Sequence, residues 1–156
     1  MDLVTFALFA EELGHASAGI AVGIYVHVAL ALSAVHSFGT KEQKEKYLVP
    51  GVRGEKVGAW GFAEPASGSD PSSFRTMAGR GPTGWRLNGS KVFISNGTFA
   101  DFVVVTAKTA PEKGLQGMSL LILEKGTPGL AARRIPVMGV RATESAELVF
   151  ENCVLP

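Results

Sequence analysis

The feature that most restricts the fold is the run at residues 16–35, ASAGIAVGIYVHVALALSAV, which contains no Asp, Glu, Lys or Arg. A helix of that length and composition is long enough to cross a bilayer. It is also what the centre of a multi-helix layer requires, because a helix apolar on all sides needs cover on all sides. His27, Ser17, Ser33 and many small residues interrupt the run, and no aromatic belt marks both ends. The run is therefore read as a buried core helix and not as a membrane span. No Lys or Arg precedes Lys41, so the basic start of a secretory signal is missing.

Residues 1–49 carry a helical period throughout. Leu3, Phe6, Ala7, Ala10, Leu13 and Ala16 recur at helical spacing, with Glu11 and Glu12 on the opposite side. Gly14 is an expected stop for this first helix. After the long apolar segment, TKEQKEKYL reads as a short third helix. Thr40 is placed to cap it and Gln43 to complete a capping box. Pro50 and Gly51 are expected to end it.

Beyond Pro50 the period changes. Short apolar runs, VGAWGF, GWRLNGSKVFIS, DFVVVTAK, MSLLILEK, LAARRIPV and AELVFENCVLP, are separated by Gly, Pro and Asn. Asn88–Gly89 is the strongest hairpin signal, because a type I′ turn needs positive φ at both central residues. KGTPGL at 125–130 is a second turn. Strands at this spacing predict a barrel or sandwich. The fold class is α+β: N-terminal α-helices followed by an antiparallel β-barrel or sandwich. The expected division is residues 1–50, a partial helical domain, and residues 51–156, a β domain. The chain opens inside a helical pattern and ends directly after a strand, so an excerpt of a longer polypeptide, or cover by other chains, is expected.

Composition excludes several functions. With 46% hydrophobic and 19% charged residues, the 156-residue chain can build a core. A net charge of +1 gives no pull toward nucleic acid or acidic lipid. The lone Cys153 cannot form an internal disulfide, and no Cys/His spacing suggests a metal site. A reducing compartment follows as the default.

Three loops are candidates for chemistry. In GFAEPASGSD, residues 61–70, Pro65 pushes Glu64 into an extended conformation. The small residues Ala66, Ser67, Gly68 and Ser69 then let backbone N–H groups approach a ligand, as an anion-binding nest does, with the Ser69 hydroxyl as a further donor. Asp70 is placed to cap the next turn. A plain surface loop is the commoner use of such a sequence. In SKVFISNG, residues 90–97, simple alternation puts Lys91, Phe93 and Ser95 on one strand face and Val92, Ile94 and Asn96 on the other. Phe93 beside Ser95 suits a planar heteroaromatic ring with polar edges; a half-buried strand accounts for the same pattern. In GVRATESAELVFENCVLP, Arg141 and Glu144 are expected to form a structural ion pair, and Glu147 to face solvent. His15, His27 and His36 are read as packing or helix-end residues.

Taken in order, EELGHASAGIA, FGTKEQKEKYL, GFAEPASGSD, LNGSKVFISNGTFADFVVVTA, EKGTPGL and GVRATESAELVFENCVLP resemble the acyl-CoA dehydrogenase family of flavoproteins. The resemblance spans nearly the whole chain. It implies the last helices of the family's N-terminal domain and all of its middle β domain, without the C-terminal helical bundle. It also implies that the apolar helices belong to a soluble bundle.

The resemblance implies FAD as cofactor, with Trp60, Phe62, Ala63, Gly68, Ser69, Phe93, Ile94 and Ser95 lining its site and Ser69 also meeting the acyl-CoA. Ser95 supplies the hydroxyl near flavin N5, and Phe93 stands where many members have tryptophan. The residue before Glu64 commonly carries a hydroxyl that bonds the flavin edge; here it is Ala63. The implied reaction is α,β-dehydrogenation of acyl-CoA thioesters, with hydride transfer to flavin N5 and an electron-transferring flavoprotein as acceptor. The family's catalytic base lies in the C-terminal domain, so no catalytic residue is assigned, and the segment alone is expected to be inactive. A non-catalytic binding module, or a related flavin oxidase or monooxygenase, is the alternative. A homo-oligomer at full length, and a cytoplasmic or, in a eukaryote, mitochondrial-matrix location, complete the expectations.

Overall fold

Helices fill the first third of the molecule, and a curled sheet fills the rest. The structure, a computed structural model, describes residues 2–156. Helix α1 (Leu3–Ala16) is capped by Asp2, whose carboxylate accepts the Thr5 N–H at 2.9 Å. It runs past Gly14, which has no left-handed φ, and stops at Ser17, which caps the next helix in turn. Helix α2 (Ala18–Phe38) is continuous and contains a π-helical stretch, Val26–Leu32. Helix α3 (41–52) begins with the expected Thr40–Gln43 capping box. It continues through Pro50 to Val52 because a π-helical stretch, Lys44–Leu48, precedes the proline, and there Val49 N–H bonds five residues back to Lys44.

Seven strands follow: β1 (Gly58–Gly61), β2 (Met77–Gly81), β3 (Gly84–Ile94), β4 (Phe102–Lys108), β5 (Met118–Glu124), β6 (Leu130–Arg134) and β7 (Ala146–Leu155). One group consists of β1, β4 and β5; the other has the order β2-β3-β7-β6. They meet at one pairing, Met77 with Lys108, where the sheet curls into a half-barrel. The sheet is mixed and not wholly antiparallel, because β1 runs parallel to β4. The intervening β2–β3 hairpin carries the chain round to the same end, so a parallel return is available without a tight turn.

The expected hairpin at Asn88–Gly89 does not form. Strand β3 runs straight through it, paired to β7 on both sides, with a bulge between Leu87 and Gly89. Gly89 adopts φ +141° where a Cβ would lie 2.5 Å from the Thr76 hydroxyl oxygen. Asn88 instead accepts the N–H of Asn152 on β7 at 2.8 Å. The actual turn is at Pro82–Thr83, after β2, a strand that its glycines concealed. The 125–130 turn lies where the sequence puts it, between β5 and β6.

Two cores share β4. Val103, Val105 and Ala107 point into the half-barrel with Leu87, Ile94, Leu123, Leu148 and Phe150. Phe102 and Val104 point the other way, onto Ala31, Leu32, Val35 and Tyr47 of the helices. A strand covered on both faces reads as an unbroken apolar run, which explains DFVVVTAK.

Polar struts tie the layers. The His27 ring accepts Gly58 N–H at Nδ1 (2.9 Å) and donates from Nε2 to Gly51 O (3.1 Å), which fixes the Nε2–H tautomer. Asn96 donates to Gly23 O at 3.0 Å. Tyr47 donates to the Glu124 carboxylate at 2.7 Å, and Lys46 pairs with the same group. Helix α2 is long and apolar enough to cross a membrane by length and composition, and 33% of its most apolar window is buried within this chain.

Candidate functional site

Two loops meet at the end of β1 and the end of β3. Val92 N–H donates to Ala63 O at 2.9 Å, so GFAEPASGSD and SKVFISNG lie side by side. Trp60 and Phe62 stack at 6.5 Å between centroids, and Phe62 meets Phe74 edge-on at 5.0 Å. Of this row Phe74 is buried, and Trp60 and Phe62 are half-buried.

Glu64 lies beneath the loop it opens. Its side chain is 4% exposed, and the carboxylate accepts Arg75 N–H at 2.6 Å, Thr76 N–H at 3.1 Å and the Lys91 ammonium at 2.9 Å. Burial by itself pushes this carboxyl up; the Arg75 N–H bond first, then Lys91 and Thr76, outweigh it and hold the group below its ordinary range. Burial draws the Lys91 ammonium down, and Glu64 opposes that. Leaving either charge alone at such a site costs about 3–5 kcal/mol. Glu64 also closes a short loop with Ser67, Glu64 N–H to Ser67 O at 2.7 Å and Ser67 N–H to Glu64 O at 3.0 Å. Asp70 caps the turn Pro71–Ser73 through Ser72 N–H at 3.0 Å.

The small residues between these anchors are open. Gly68 and Ser69 are exposed, and a Cβ on Gly68 would meet nothing within 4 Å. Among the described residues, neither backbone N–H has a partner, nor does the Ser69 hydroxyl. Such a run presents donors to an anionic or polar-edged ligand. Across from it, Phe93 has φ +58° and its ring is 64% exposed. A left-handed backbone at an aromatic residue costs about 1–3 kcal/mol and is held only where surroundings enforce it. Ser95 is half-buried, and its hydroxyl has no partner among the described residues. Donors, an outward ring and empty space beside glycine fit a planar group bearing phosphates.

Several placements differ from expectation. The alternation along 91–96 breaks at a bulge between Lys91 and Ile94, so Lys91 and Ile94 are both buried while Phe93 turns outward. Ile94's side chain is in the core, leaving only its backbone near the site. Arg141 does not pair with Glu144: residues Val140 and Glu144 both take left-handed φ, and Glu144 accepts the Thr98 hydroxyl at 2.6 Å. Glu147 is half-buried and pairs with Arg133 at 2.7 Å. Lys91 carries no site role in the sequence reading, because a strand lysine ordinarily faces water; the local signal for it is a cation directly before the apolar run Val92–Ile94.

Comparison with known proteins gives a consistent set. The family model described as "Acyl-CoA dehydrogenase, N-terminal domain" matches residues 1–55, and "Acyl-CoA dehydrogenase, middle domain" matches residues 59–153. The chain is 41% identical over 157 residues to a short-chain specific acyl-CoA dehydrogenase of Megasphaera elsdenii, covering 99% of this chain and 41% of that relative. The solved butyryl-CoA dehydrogenase of Megasphaera elsdenii superposes with a TM-score of 0.90 at 42% identity, over 94% of this chain and 39% of that one. A glutaryl-CoA dehydrogenase of Mycobacterium smegmatis in complex with FADH2 superposes with a TM-score of 0.82 at 34% identity, over 89% of this chain and 35% of that one. The chain thus spans about two fifths of the length of the relatives it matches.

Proposed function

The chain belongs to the acyl-CoA dehydrogenase family, and from that premise we propose that it supplies the flavin-binding wall of an FAD-dependent oxidoreductase acting on acyl-CoA thioesters. The observation that carries the reading is the Val92–Ala63 bond, which sets the loop bearing the open Gly68 and Ser69 donors beside the strand end bearing the outward Phe93 ring and the Ser95 hydroxyl. FAD, when bound, supplies the acceptor for the hydride removed from the acyl β-carbon. The chain's own residues bind and orient. Gly68 and Ser69 offer N–H and hydroxyl donors, Ser95 offers a hydroxyl, and Phe93, Trp60 and Phe62 offer apolar faces. At Ala63 no side-chain hydroxyl is available, which leaves backbone groups for that edge. Ser69 is also the proposed contact to acyl-CoA, and an electron-transferring flavoprotein the proposed acceptor.

Glu64 is not the base. Its carboxylate is buried, fully bonded and held acidic, so it can neither reach a thioester nor hold a proton well. No residue of this chain is assigned that role. A second reading is a non-catalytic module that binds flavin or acyl-CoA without turnover. FAD titration followed by protein fluorescence, then anaerobic addition of butyryl-CoA, separates the two. In the longer polypeptide expected from the sequence, bleaching of the flavin absorbance supports the enzyme and FAD uptake without bleaching supports the module; no FAD uptake there sinks the flavin reading. Ser69→Tyr, which fills the open space, is expected to weaken FAD binding by about tenfold or more.

A further inference from the structure

Lys91 stands on β3 with its ammonium fully buried, and each of its three donors is used. They reach Phe62 O at 2.8 Å, the Glu64 carboxylate at 2.9 Å and the Thr106 hydroxyl at 3.1 Å. Thr106 is on β4, and it passes the chain of bonds on to Gly61 O at 3.2 Å. Glu64 in turn accepts the N–H groups of Arg75 and Thr76, where the chain returns from the loop to β2. The Phe74 ring lies 4.2 Å from the ammonium. One charge pair therefore grips both the entry and the exit of the 62–76 segment.

The same pair sets the second wall. Immediately after Lys91, Val92 donates to Ala63 O, and Phe93 follows in its left-handed conformation at the bulge. With Lys91 anchored inward and Val92 tied to the loop, the chain has a fixed frame from which Phe93 turns out. An apolar side chain could fill the volume of Lys91, but it would fix none of the three acceptors. Loop residues as small as Ala66, Ser67, Gly68 and Ser69 lose much backbone freedom on binding unless something holds them beforehand.

We propose that the buried Lys91–Glu64 pair is a positioning device that locks the 62–76 loop and the Phe93 turn into one cradle before any cofactor arrives. Lys91 touches no cofactor atom; it acts through Phe62, Glu64 and Thr106. The inference rests on the flavin reading of the cradle, but its conformational half can be tested without flavin.

The experiment is amide hydrogen exchange on the flavin-free protein, with FAD affinity measured separately well below the melting temperature. In Lys91→Met, protection of the Arg75 and Thr76 amides is expected to fall about tenfold or more while that of β4 and β5 holds, and the Kd for FAD to rise about tenfold or more. Thr106→Val keeps both charges and removes one acceptor; it is expected to raise the Kd by about threefold, and it carries the test where Lys91→Met does not fold. A fall in global stability alone does not move an affinity measured far below melting. Unchanged Arg75 and Thr76 exchange together with unchanged FAD affinity, in a folded variant of either kind, overturns the proposal. If the wild-type protein takes up no FAD, the flavin reading fails, and exchange at Arg75 and Thr76 alone decides whether the pair builds the loop.

Discussion

Strand β4 and helix α1 are both rich in apolar residues, yet β4 buries six successive residues while none of the described residues of α1 is buried. Leu3 is 86% exposed, whereas Val105 is fully covered. The difference is one of partners. Between them, the two faces of β4 are covered by the half-barrel core and by α2 and α3, while α1 meets little beyond the edge of α2, where Phe6 approaches Tyr25 at 6.0 Å. Hydrophobicity supplies a drive for burial, and only a neighbour on the same face satisfies it.

Substitutions can break this contrast. Phe102→Ala has the largest expected effect, because Phe102 closes the core between β4 and the helices, 5.0 Å from the Tyr47 ring. It is expected to cost about 3–5 kcal/mol in chemical denaturation. Gly89→Ala comes next, at about 1–3 kcal/mol, since φ +141° and the contact with Thr76 leave no room for a methyl group. Third is the acid limb of stability. Glu64 is held below its ordinary range in the fold, so its contribution is complete above the unfolded carboxylate value and is lost as pH falls through the depressed folded value. Melting temperature is expected to drop on acidification below about pH 5, and the slope to be shallower in Glu64→Gln. An equal slope in that variant removes Glu64 from the account. Smallest is Leu3→Ser, expected to change stability by less than about 0.5 kcal/mol. A loss of several times that value would mean that α1 is packed in the protein in a way this chain does not display.

Much of the architecture was legible from local patterns. The order of helices before strands, the Thr40–Gln43 capping box and the 125–130 turn all depend on residues close in sequence, and each appears as the pattern has it, although the third helix runs on past Pro50 to Val52. Strand β2 was not legible, because MAGRG lacks the β-branched and aromatic residues that mark a strand, and its partners are supplied by β3. Asn88–Gly89 carried a strong turn signal that lost to pairing. Strand β7 runs antiparallel along nearly all of β3, and accommodating the dipeptide as a bulge keeps that ladder, whereas a hairpin would end it.

The candidate site divides in the same way. Quoted by sequence, GFAEPASGSD and SKVFISNG each have an ordinary structural use, and their meaning depends on meeting. Nothing local says that Ala63 accepts from Val92, that a bulge turns Phe93 outward, or that Lys91 lies beneath the loop. Arg141 and Glu144 illustrate the converse: their spacing permits an ion pair, but the left-handed backbone at Val140 and Glu144 sends the carboxylate to Thr98.

By itself the sequence determined the α+β order, the apolar run of β4 and the small residues of the 66–69 loop, because period, apolar runs and glycine freedom are properties of neighbouring residues. Only the tertiary structure decided which groups Glu64 bonds. That outcome needs Lys91 from another strand and the amides of Arg75 and Thr76 from the far end of the loop, groups that chain connectivity separates and the curl of the sheet brings within hydrogen-bonding distance.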